Sequence, residues 1–292
     1  MDVSILIVSK NRKKDLALTL RVLEKYIDKS IHEIRVLLDG CEDQSLNLKT
    51  TFPWVHWYEE RQAIGASRAR HKLYKTAKGK ILIGFDDDAH PLHNDFIQKT
   101  EQIFQTDDKL GAIAYKEIKG LFNSDIEALK ELKENNSFLC SEFVGCGFAI
   151  KTEVYQLTNG FPVWMDIYGE EACVSLELLS KGYNILFTNN IAVNHRIDKA
   201  KRKQQGKNYF RFQRQLKNST FYYLIYYKWP LKKICKLYYH NFMKYGLKNV
   251  NYFLLFFKVL FSSLVKFPSV LNNRNPVRDE VIAAKDKLKL PM

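Results

Sequence analysis

The stretch Ile81-Leu82-Ile83-Gly84-Phe85-Asp86-Asp87-Asp88 carries the strongest signal in the chain, because a short apolar run leads directly into three aspartates. The apolar run has the length and composition of a buried strand. Adjacent carboxylates repel one another and are normally neutralised by a cation. Mg²⁺ or Mn²⁺ suits such an oxygen-rich group, especially where a diphosphate adds ligands. A solvated acidic turn without a ligand is the alternative, and Ala89-His90-Pro91 is predicted to continue it as a turn.

The residues before this strand alternate between strand and helix patterns. The predicted elements are strands over Val3–Val8, Ile34–Leu38 and Val55–Tyr58, a helix capped by Asn11 with Leu16, Leu20 and Leu23 on one face, and a helix over Ala66–Ala77. This order implies crossover connections and an α/β fold with a mostly parallel sheet. Ligands of such sheets bind at the carboxyl ends of the strands. Those ends carry Ser9-Lys10-Asn11, Asp39-Gly40 and the three aspartates.

The composition is that of a folded globular protein. The chain has 292 residues, 46% of them hydrophobic and 27% charged, which excludes disorder, collagen-like folds and small disulfide-stapled folds. The five cysteines are widely spaced and form no zinc-ligand cluster, as expected of a protein from a reducing compartment. The N-terminus lacks the basic-then-apolar order of an export signal. We therefore expect a cytoplasmic protein.

The positive charge is confined to the C-terminal third. Residues 199–292 contain 21 basic and 3 acidic residues, a net charge of +18, and residues 1–198 carry a net charge of −4. The same region holds 19 of the 39 aromatic residues. We therefore predict two parts, a catalytic domain over residues 1–198 and a helical, basic and aromatic region over residues 199–292.

Several motifs occur in a fixed order over residues 1–198. They are Ser9-Lys10-Asn11-Arg12, Asp39-Gly40, Gly65-Ala66-Ser67-Arg68-Ala69-Arg70, Asp86-Asp87-Asp88, Gly169-Glu170-Glu171 and His195. In this order and spacing the chain resembles the family 2 glycosyltransferases, which have the Rossmann-type GT-A fold. One such motif would be a weak signal, but six in order are a strong one.

The resemblance implies a donor site for a nucleotide sugar, with a UDP-sugar as the expected donor. Asp39 would hydrogen-bond the base, and Arg70 would contact the base or the diphosphate. Asp86 would orient the ribose or the sugar. The expected donor site also includes Ser9, Asn11 and Asp87.

The resemblance also implies a divalent cation, Mn²⁺ or Mg²⁺. Asp88 would bind the ion on the diphosphate, and His195 matches a late histidine that often completes the metal site. A surface histidine beside Arg196 is the alternative interpretation of His195.

The acceptor site is expected at Gly145-Cys146-Gly147, which matches a Gly-Gly segment of the family. Glycine would let the backbone approach a sugar closely, although a strand bulge would also explain Gly145 and Gly147. Trp164 lies on a loop where an acceptor sugar could stack, and a core tryptophan is equally compatible with its position.

Glu171 is assigned as the catalytic base, and Glu170 remains an alternative because the family usually has aspartate at the base position. Further departures from the family pattern are Leu38, His71 and Cys173, which replace an acid, an asparagine and a second acid. The implied reaction is an inverting single displacement by a hydroxyl of a glycan or lipid-linked acceptor, as in surface polysaccharide synthesis. The carboxylate would remove the hydroxyl proton, and the cation would offset charge on the departing diphosphate.

The C-terminal region permits three interpretations. Neither of its apolar runs supplies about 18–20 uncharged residues, so a membrane-spanning helix is not expected. Lysines among aromatic residues suit peripheral docking on the anionic inner face of the cell membrane, or a helical subdomain packed on the catalytic domain. Stacking and phosphate contacts would also suit single-stranded nucleic acid, but the net −4 of residues 1–198 disfavours a nucleic-acid partner. A sugar nucleotidyltransferase is the other rival, disfavoured because no glycine-rich loop follows the first strand.

Overall fold

The computed structural model describes residues 1–133, 136–204 and 206–291. Nine strands form one sheet within these residues. The strands are β1 (Val3–Ser9), β2 (His32–Asp39), β3 (His56–Glu60), β4 (Ile81–Asp86), β5 (Ala89–Pro91), β6 (Leu110–Lys119), β7 (Ser137–Leu139), β8 (Gly147–Lys151) and β9 (Asn184–His195). Their order is β3-β2-β1-β4-β8-β6-β9-β5, with β7 also paired to β9. Six strands, β1 to β4, β6 and β9, run in the same direction. The predicted α/β fold with a mostly parallel sheet is confirmed.

Helices pack on the sheet and follow it at the C-terminus. They are α1 (Lys13–Tyr26), α2 (Leu48–Thr51), α3 (Ala66–Tyr74), α4 (Phe96–Gln105), α5 (Asp125–Leu129), α6 (Thr152–Gln156), α7 (Glu170–Ser180), α8 (Lys199–Gln204), α9 (Tyr209–Tyr226), α10 (Leu231–Lys244), α11 (Val250–Leu271) and α12 (Asp279–Lys287). In α1, Leu16, Leu20 and Leu23 are fully buried at helical spacing, so one apolar stripe fixes this helix on the core. The central strand β1 is apolar on both faces because both are covered.

The parallel register gathers the polar strand ends at one edge. Val8 of β1 pairs with Asp86 of β4, and Ser9 pairs with Leu38, the residue before Asp39. The carboxyl ends of β1, β2 and β4 therefore meet, as the strand and helix order predicted.

Two local predictions were wrong. Asn11 does not cap α1; it adopts a left-handed conformation with φ 55°, and its Oδ1 accepts hydrogen bonds from the backbone N–H groups of Glu42 and Asp43 at 2.7 and 3.3 Å. Ala89-His90-Pro91 is not a turn but the short strand β5, antiparallel to β9. The turn is confined to Asp87 and Asp88.

The C-terminal helices share a hydrophobic core with α7. Phe221, Leu224 and Ile225 of α9 belong to the same buried cluster as Met165 and Leu176. Beyond α12 the backbone carbonyl of Lys289 accepts a hydrogen bond of 2.9 Å from the N–H of Ser141. Packing of these helices on the catalytic domain thus accounts for part of their aromatic content, while the domain boundary at residue 198 stays a prediction.

Helix α11 extends beyond the second apolar run of the C-terminal region, residues 252–261. It runs from Val250 to Leu271, which gives 22 residues with a mean hydropathy of 1.7 over its most apolar window, and 22% of that window is buried. Among the described residues it is the one helix long and apolar enough to cross a bilayer, by length and composition alone.

A buried network joins the amino ends of β1 and β2. Glu33 accepts hydrogen bonds from Ser4 Oγ at 2.5 Å, Arg35 Nη2 at 2.8 Å and the backbone N–H of Lys78 at 2.8 Å. Burial opposes ionisation of Glu33, but these hydrogen bonds outweigh it and lower its pKa to about 2. The charged carboxylate therefore stabilises the fold.

Replacing Glu33 by glutamine should lower the free energy of unfolding at pH 7 by about 2–4 kcal/mol, because the buried Arg35 charge loses its partner. Since the pKa of Glu33 is depressed by folding, its contribution is complete above about pH 4.5 and is lost as the pH falls towards 2. Urea unfolding at several pH values measures both effects. The exposed Glu153→Gln is the control; equal effects of the two changes would contradict the network's role.

Candidate active site

A cleft of about 980 Å³ opens at the edge where the polar strand ends meet. The ends of β1, β2, β4 and β9, the start of α7 and the first turns of α9 surround it. Of the residues predicted from sequence, those that line the cleft are Asp39, Asp86, Asp87, Asp88, Gly145, Glu171 and His195. The cleft has the size and polar lining of a ligand site.

The three aspartates of the acidic turn have three different environments. Asp86 is partly exposed and accepts a hydrogen bond of 2.7 Å from Arg70 Nη2. Asp87 is buried and accepts one of 2.7 Å from Ser9 Oγ, and its burial raises its pKa to about 7 against the opposing effect of Arg12. Asp88 Oδ2 is bound by Arg12. Burial disfavours the charge of Asp88, but His195 and Arg12 outweigh it and lower the pKa to about 2.

His195 lies beside the acidic turn because Ala89 of β5 pairs with it in the sheet. Its Nε2 is 3.2 Å from Asp88 Oδ1, and its Nδ1 is 2.5 Å from Glu117 Oε1. Burial opposes protonation, but hydrogen bonds to the two carboxylates outweigh it and raise the pKa of His195 to about 9. Possible ligand atoms of Asp86, Asp88 and His195 all lie within 4.8 Å of one another. This donor set could hold a divalent cation.

Arg70 does not reach the cleft, contrary to the expected contact with base or diphosphate. It is 7% exposed, and its guanidinium binds Asp86, Glu170 at 3.1 Å and Glu171 at 2.8 Å. Burial alone would lower the Arg70 pKa, but the three carboxylates raise it. The residue is therefore a buried counter-ion that joins α3, β4 and α7.

The two glutamates at the start of α7 face different surroundings. Glu171 lines the cleft and is partly exposed, whereas Glu170 is 3% exposed. Burial, and then the neighbouring charge of Glu171, raise the pKa of Glu170 despite Arg70. Glu171 is the carboxylate in reach of a ligand.

The three residues predicted to bind the acceptor, Gly145, Gly147 and Trp164, do not all line the cleft. Gly145 lines the cleft, and a Cβ there would lie 2.3 Å from Glu171 Oε1 and 2.7 Å from Arg70 Nη2. Gly147 lies inside β8, where a Cβ would meet Val193 Cγ2 at 2.6 Å, so close packing in the sheet explains it. Trp164 lies outside the cleft lining and packs edge-on against Phe221, with ring centroids 6.4 Å apart.

Three residues expected to bind the donor, Ser9, Asn11 and Asp39, make contacts that hold neighbouring parts of the protein in place. Ser9 is buried behind Asp87, and Asn11 holds the loop at residues 42–43; neither lines the cleft. Asp39 lines it, and its two carboxylate oxygens accept the backbone N–H groups of Ile64 and Gly65 at 2.7 and 2.9 Å. Asp39 therefore also fixes the loop before α3.

Sequence reasoning missed much of the cleft lining. The charged and aromatic lining residues that it did not assign are Lys10, Arg12, Arg68, Glu117, Lys119, Glu142, Phe143, Asp166, Tyr168, Phe210, Arg211 and Arg214. The last three come from α9 in the C-terminal region, which no motif linked to the site. Arg12 belongs to the first motif, and its position shortly after a predicted strand end is the signal that could have identified it as a cleft residue.

Solved structures similar to the chain share its fold at low sequence identity. S. aureus TarS 1–349 in complex with UDP-GlcNAc has a TM-score of 0.61 and 13% identity, covering 97% of this chain and 83% of its own. GalNAc-T7 with UDP, GalNAc and Mn²⁺ has a TM-score of 0.60 and 17% identity, covering 80% of this chain and 49% of its own. The mannosyltransferase PcManGT from Pyrobaculum calidifontis, with GDP-Man and Mn²⁺, has a TM-score of 0.58 and 16% identity, covering 90% and 75%.

The chain is shorter than several of these relatives. It spans 37% of the longer S. aureus TarS chain. No protein of curated function matches it in sequence. The family model described as glycosyl transferase family 2 matches residues 4–150, half of the chain, and this range includes the acidic turn, Arg70 and Gly145. The protein therefore belongs to glycosyltransferase family 2, with the GT-A fold that the resemblance of its motifs implied.

Proposed function

We propose that this protein is a metal-dependent, inverting glycosyltransferase that moves a sugar from a nucleotide-sugar donor to a hydroxyl of a glycan or lipid-linked acceptor, as in surface polysaccharide synthesis. The observation that carries the proposal is the convergence of Asp86, Asp88 and His195 in one cleft with Glu171. Two carboxylates and an imidazole could hold a cation, and the carboxylate of Glu171 in the same cleft could act as a base. The family match favours glycosyl transfer over the nucleotidyl transfer considered above.

The donor set fits Mn²⁺ or Mg²⁺. Two carboxylates supply the oxygen ligands that these ions prefer, and the imidazole of His195 adds a nitrogen ligand. Glu117 holds His195 Nδ1, which leaves Nε2 directed at Asp88, the arrangement that commonly orients a ligating histidine. When bound, the ion would offset the negative charge on a departing diphosphate. Mn²⁺ accompanies a nucleotide or nucleotide sugar in two of the similar structures.

Glu171 supports the chemistry as the base. Arg70 Nη1 donates a hydrogen bond to its Oε1 at 2.8 Å, which fixes the position of the carboxylate. Because Gly145 has no side chain, there is room beside it for the Arg70–Glu171 pair. An acceptor hydroxyl within hydrogen-bond reach of Glu171 would lose its proton to this carboxylate as the new bond forms. The family resemblance implies inversion at the anomeric carbon.

Asp88→Asn should abolish the Mn²⁺ dependence of UDP binding, because the side chain keeps its shape and loses the ligand charge. Titration calorimetry of UDP with and without Mn²⁺ measures this, with GDP as the comparator nucleotide because similar structures contain either one. Turnover should fall by about two orders of magnitude or more. Asp108→Asn, an exposed aspartate, is the control. UDP binding by the parent protein without any divalent requirement would refute the metal site.

Glu171→Gln should lower turnover about 10²- to 10⁴-fold while UDP affinity changes little, since only the proton acceptor is removed. The matched control is Glu170→Gln. Because Glu170 does not line the cleft and its burial raises its pKa, a neutral amide should cost little activity there. Kinetics of donor consumption with each variant decide between them. If Glu170→Gln were the severe change, the base would be Glu170.

The C-terminal helices support a second part of the proposal, peripheral docking on an anionic, cytoplasmic membrane face that presents the acceptor. Large apolar side chains on α10, α11 and the segment before α10 are exposed. Examples are Trp229, Leu231, Tyr239, Leu254 and Val265, between 62% and 80% exposed. Exposed lysines lie among them, and residues 199–292 carry a net charge of +18. Rings at headgroup depth with lysines on phosphates would bind an anionic surface.

Replacing Lys228, Lys232 and Lys236 together by alanine should weaken binding to anionic vesicles about 100-fold, at about 1 kcal/mol per lysine. Cosedimentation with phosphatidylserine and with phosphatidylcholine vesicles at two salt concentrations measures this, and binding should fall as salt rises. Lys233 is left intact because it pairs with Asp286. The control removes Lys14, Lys109 and Lys130, exposed lysines of the catalytic domain. Equal, salt-insensitive binding to both vesicles would refute electrostatic docking, and preferential binding of single-stranded nucleic acid would favour the rival partner.

A further inference from the structure

A second chamber lies beside the cleft, between α7, α9, α10 and α12. Its volume is about 520 Å³, within the range of small-molecule sites. Five residues line both spaces, namely Glu142, Tyr168, Gly169, Ala172 and Gln215. Gly169 and Ala172 flank the two glutamates at the start of α7, so the chamber adjoins the wall that carries Glu171. No sequence motif pointed to this chamber.

The chamber contains buried polar atoms without partners. Asn218 is 2% exposed; its Nδ2 donates hydrogen bonds to the carbonyls of Ile167 and Tyr168 at 2.7 and 3.0 Å. Its Oδ1, and the hydroxyl of Tyr222, are buried and make no hydrogen bond to any part of the chain that the structure describes. Both residues line the chamber. Unsatisfied buried polar groups are costly, so we expect a hydroxyl-bearing ligand to bind these two atoms once their side chains turn towards the open space.

The remaining lining indicates a ligand with apolar faces and polar edges. Tyrosines dominate the wall, namely Tyr168, Tyr222, Tyr223, Tyr227 and Tyr245. Tyrosine presents an apolar ring with a polar tip, which matches the C–H faces and hydroxyl edges of a sugar ring.

The charges of the chamber nearly balance, which argues against a phosphate-bearing ligand. Lys233 pairs with Asp286 at 3.3 Å and Lys285 with Glu142 at 3.8 Å. The third lining lysine, Lys244, lies over the ring of Tyr245. A diphosphate would meet little unpaired positive charge here, whereas an uncharged, hydroxyl-rich molecule fits.

We propose that this chamber binds the acceptor as an uncharged saccharide, with Asn218 Oδ1 and Tyr222 Oη as hydrogen-bonding groups that select its hydroxyls. This rests on the proposed glycosyl transfer. A saccharide held there would direct a hydroxyl past Gly169 and Ala172 towards Glu171. The C-terminal helices then form the acceptor site, and they replace Trp164 and Gly147 in that role.

The first test uses saturation-transfer NMR on the full chain. The probes are free glucose, galactose, mannose, N-acetylglucosamine and cellobiose, with UDP and Mn²⁺ present. At least one saccharide should show transfer without displacing UDP. Absence of transfer to every probe overturns the proposal. UDP and Mn²⁺ binding are measured separately by calorimetry; their failure would refute the proposed function, and saccharide transfer would still report on the chamber.

Ser219→Trp tests the position of the site. Ser219 lines the chamber and not the cleft, so an indole there should weaken binding of the responding saccharide at least tenfold and leave UDP affinity within twofold. The control is Ser269→Trp, which adds an indole at an exposed position of α11. Unchanged saccharide binding by Ser219→Trp with an intact melting temperature overturns the proposal.

Tyr222→Phe removes a single hydroxyl. It provides a second test of the site in case the larger side chain of Ser219→Trp prevents folding. Because that hydroxyl is buried and unpartnered, its removal should leave the melting temperature unchanged or raise it. Saccharide binding should weaken about 2- to 10-fold. Tyr239→Phe, at an exposed position of α10, should change neither. A lower melting temperature with unchanged saccharide binding would show that the hydroxyl serves the fold, against the proposal.

Discussion

The cleft depends on one buried guanidinium. Arg70 binds carboxylates from the end of β4 and from the start of α7. Without this charge, Asp86, Glu170 and Glu171 would repel one another in a region with little water. One guanidinium pairs with all three, while burial and the charge of Glu171 raise the pKa of Glu170. The planar, multidentate group suits this task better than a lysine would.

This balance explains why the site has the residues it has. Gly145 is required because any side chain would collide with the Arg70–Glu171 pair. The acceptor contact expected of this glycine stays a prediction, and the partly exposed Arg70–Glu171 pair explains why the position has no side chain. The carboxylates that Arg70 does not neutralise, Asp87 and Asp88, are met by Arg12 and His195. The carboxylates at the strand ends are thus paired with basic side chains from three separate parts of the chain, namely Arg12, Arg70 and His195.

The sequence predicted well what local patterns determine. The runs of β1, β2 and β4 are apolar enough to identify their core positions, and parallel pairing then brings their carboxyl ends together. It predicted His195 only through resemblance, because the contact with Asp88 depends on β5, whose Ala89-His90-Pro91 has the composition of a turn. The sequence does contain a local indication that Arg70 is buried. Leu73 and Tyr74 follow it at three and four residues, which places Arg70 on the buried face of α3.

Nothing local connected the basic, aromatic region to the site, because that connection is made by one helix. Phe210, Arg211 and Arg214 at the start of α9 line the cleft, while Asn218 and Tyr222, one to two turns later, line the chamber. Successive turns of an α-helix advance by about 5.4 Å, so α9 carries adjacent segments of wall for two neighbouring spaces. Its apolar side, with Phe221 and Leu224, packs into the core shared with Leu176 of α7. The same packing that buries these aromatic residues therefore holds the cleft and the chamber side by side, and Glu171, on the first turn of α7, lines the cleft between Gly169 and Ala172, which line both spaces.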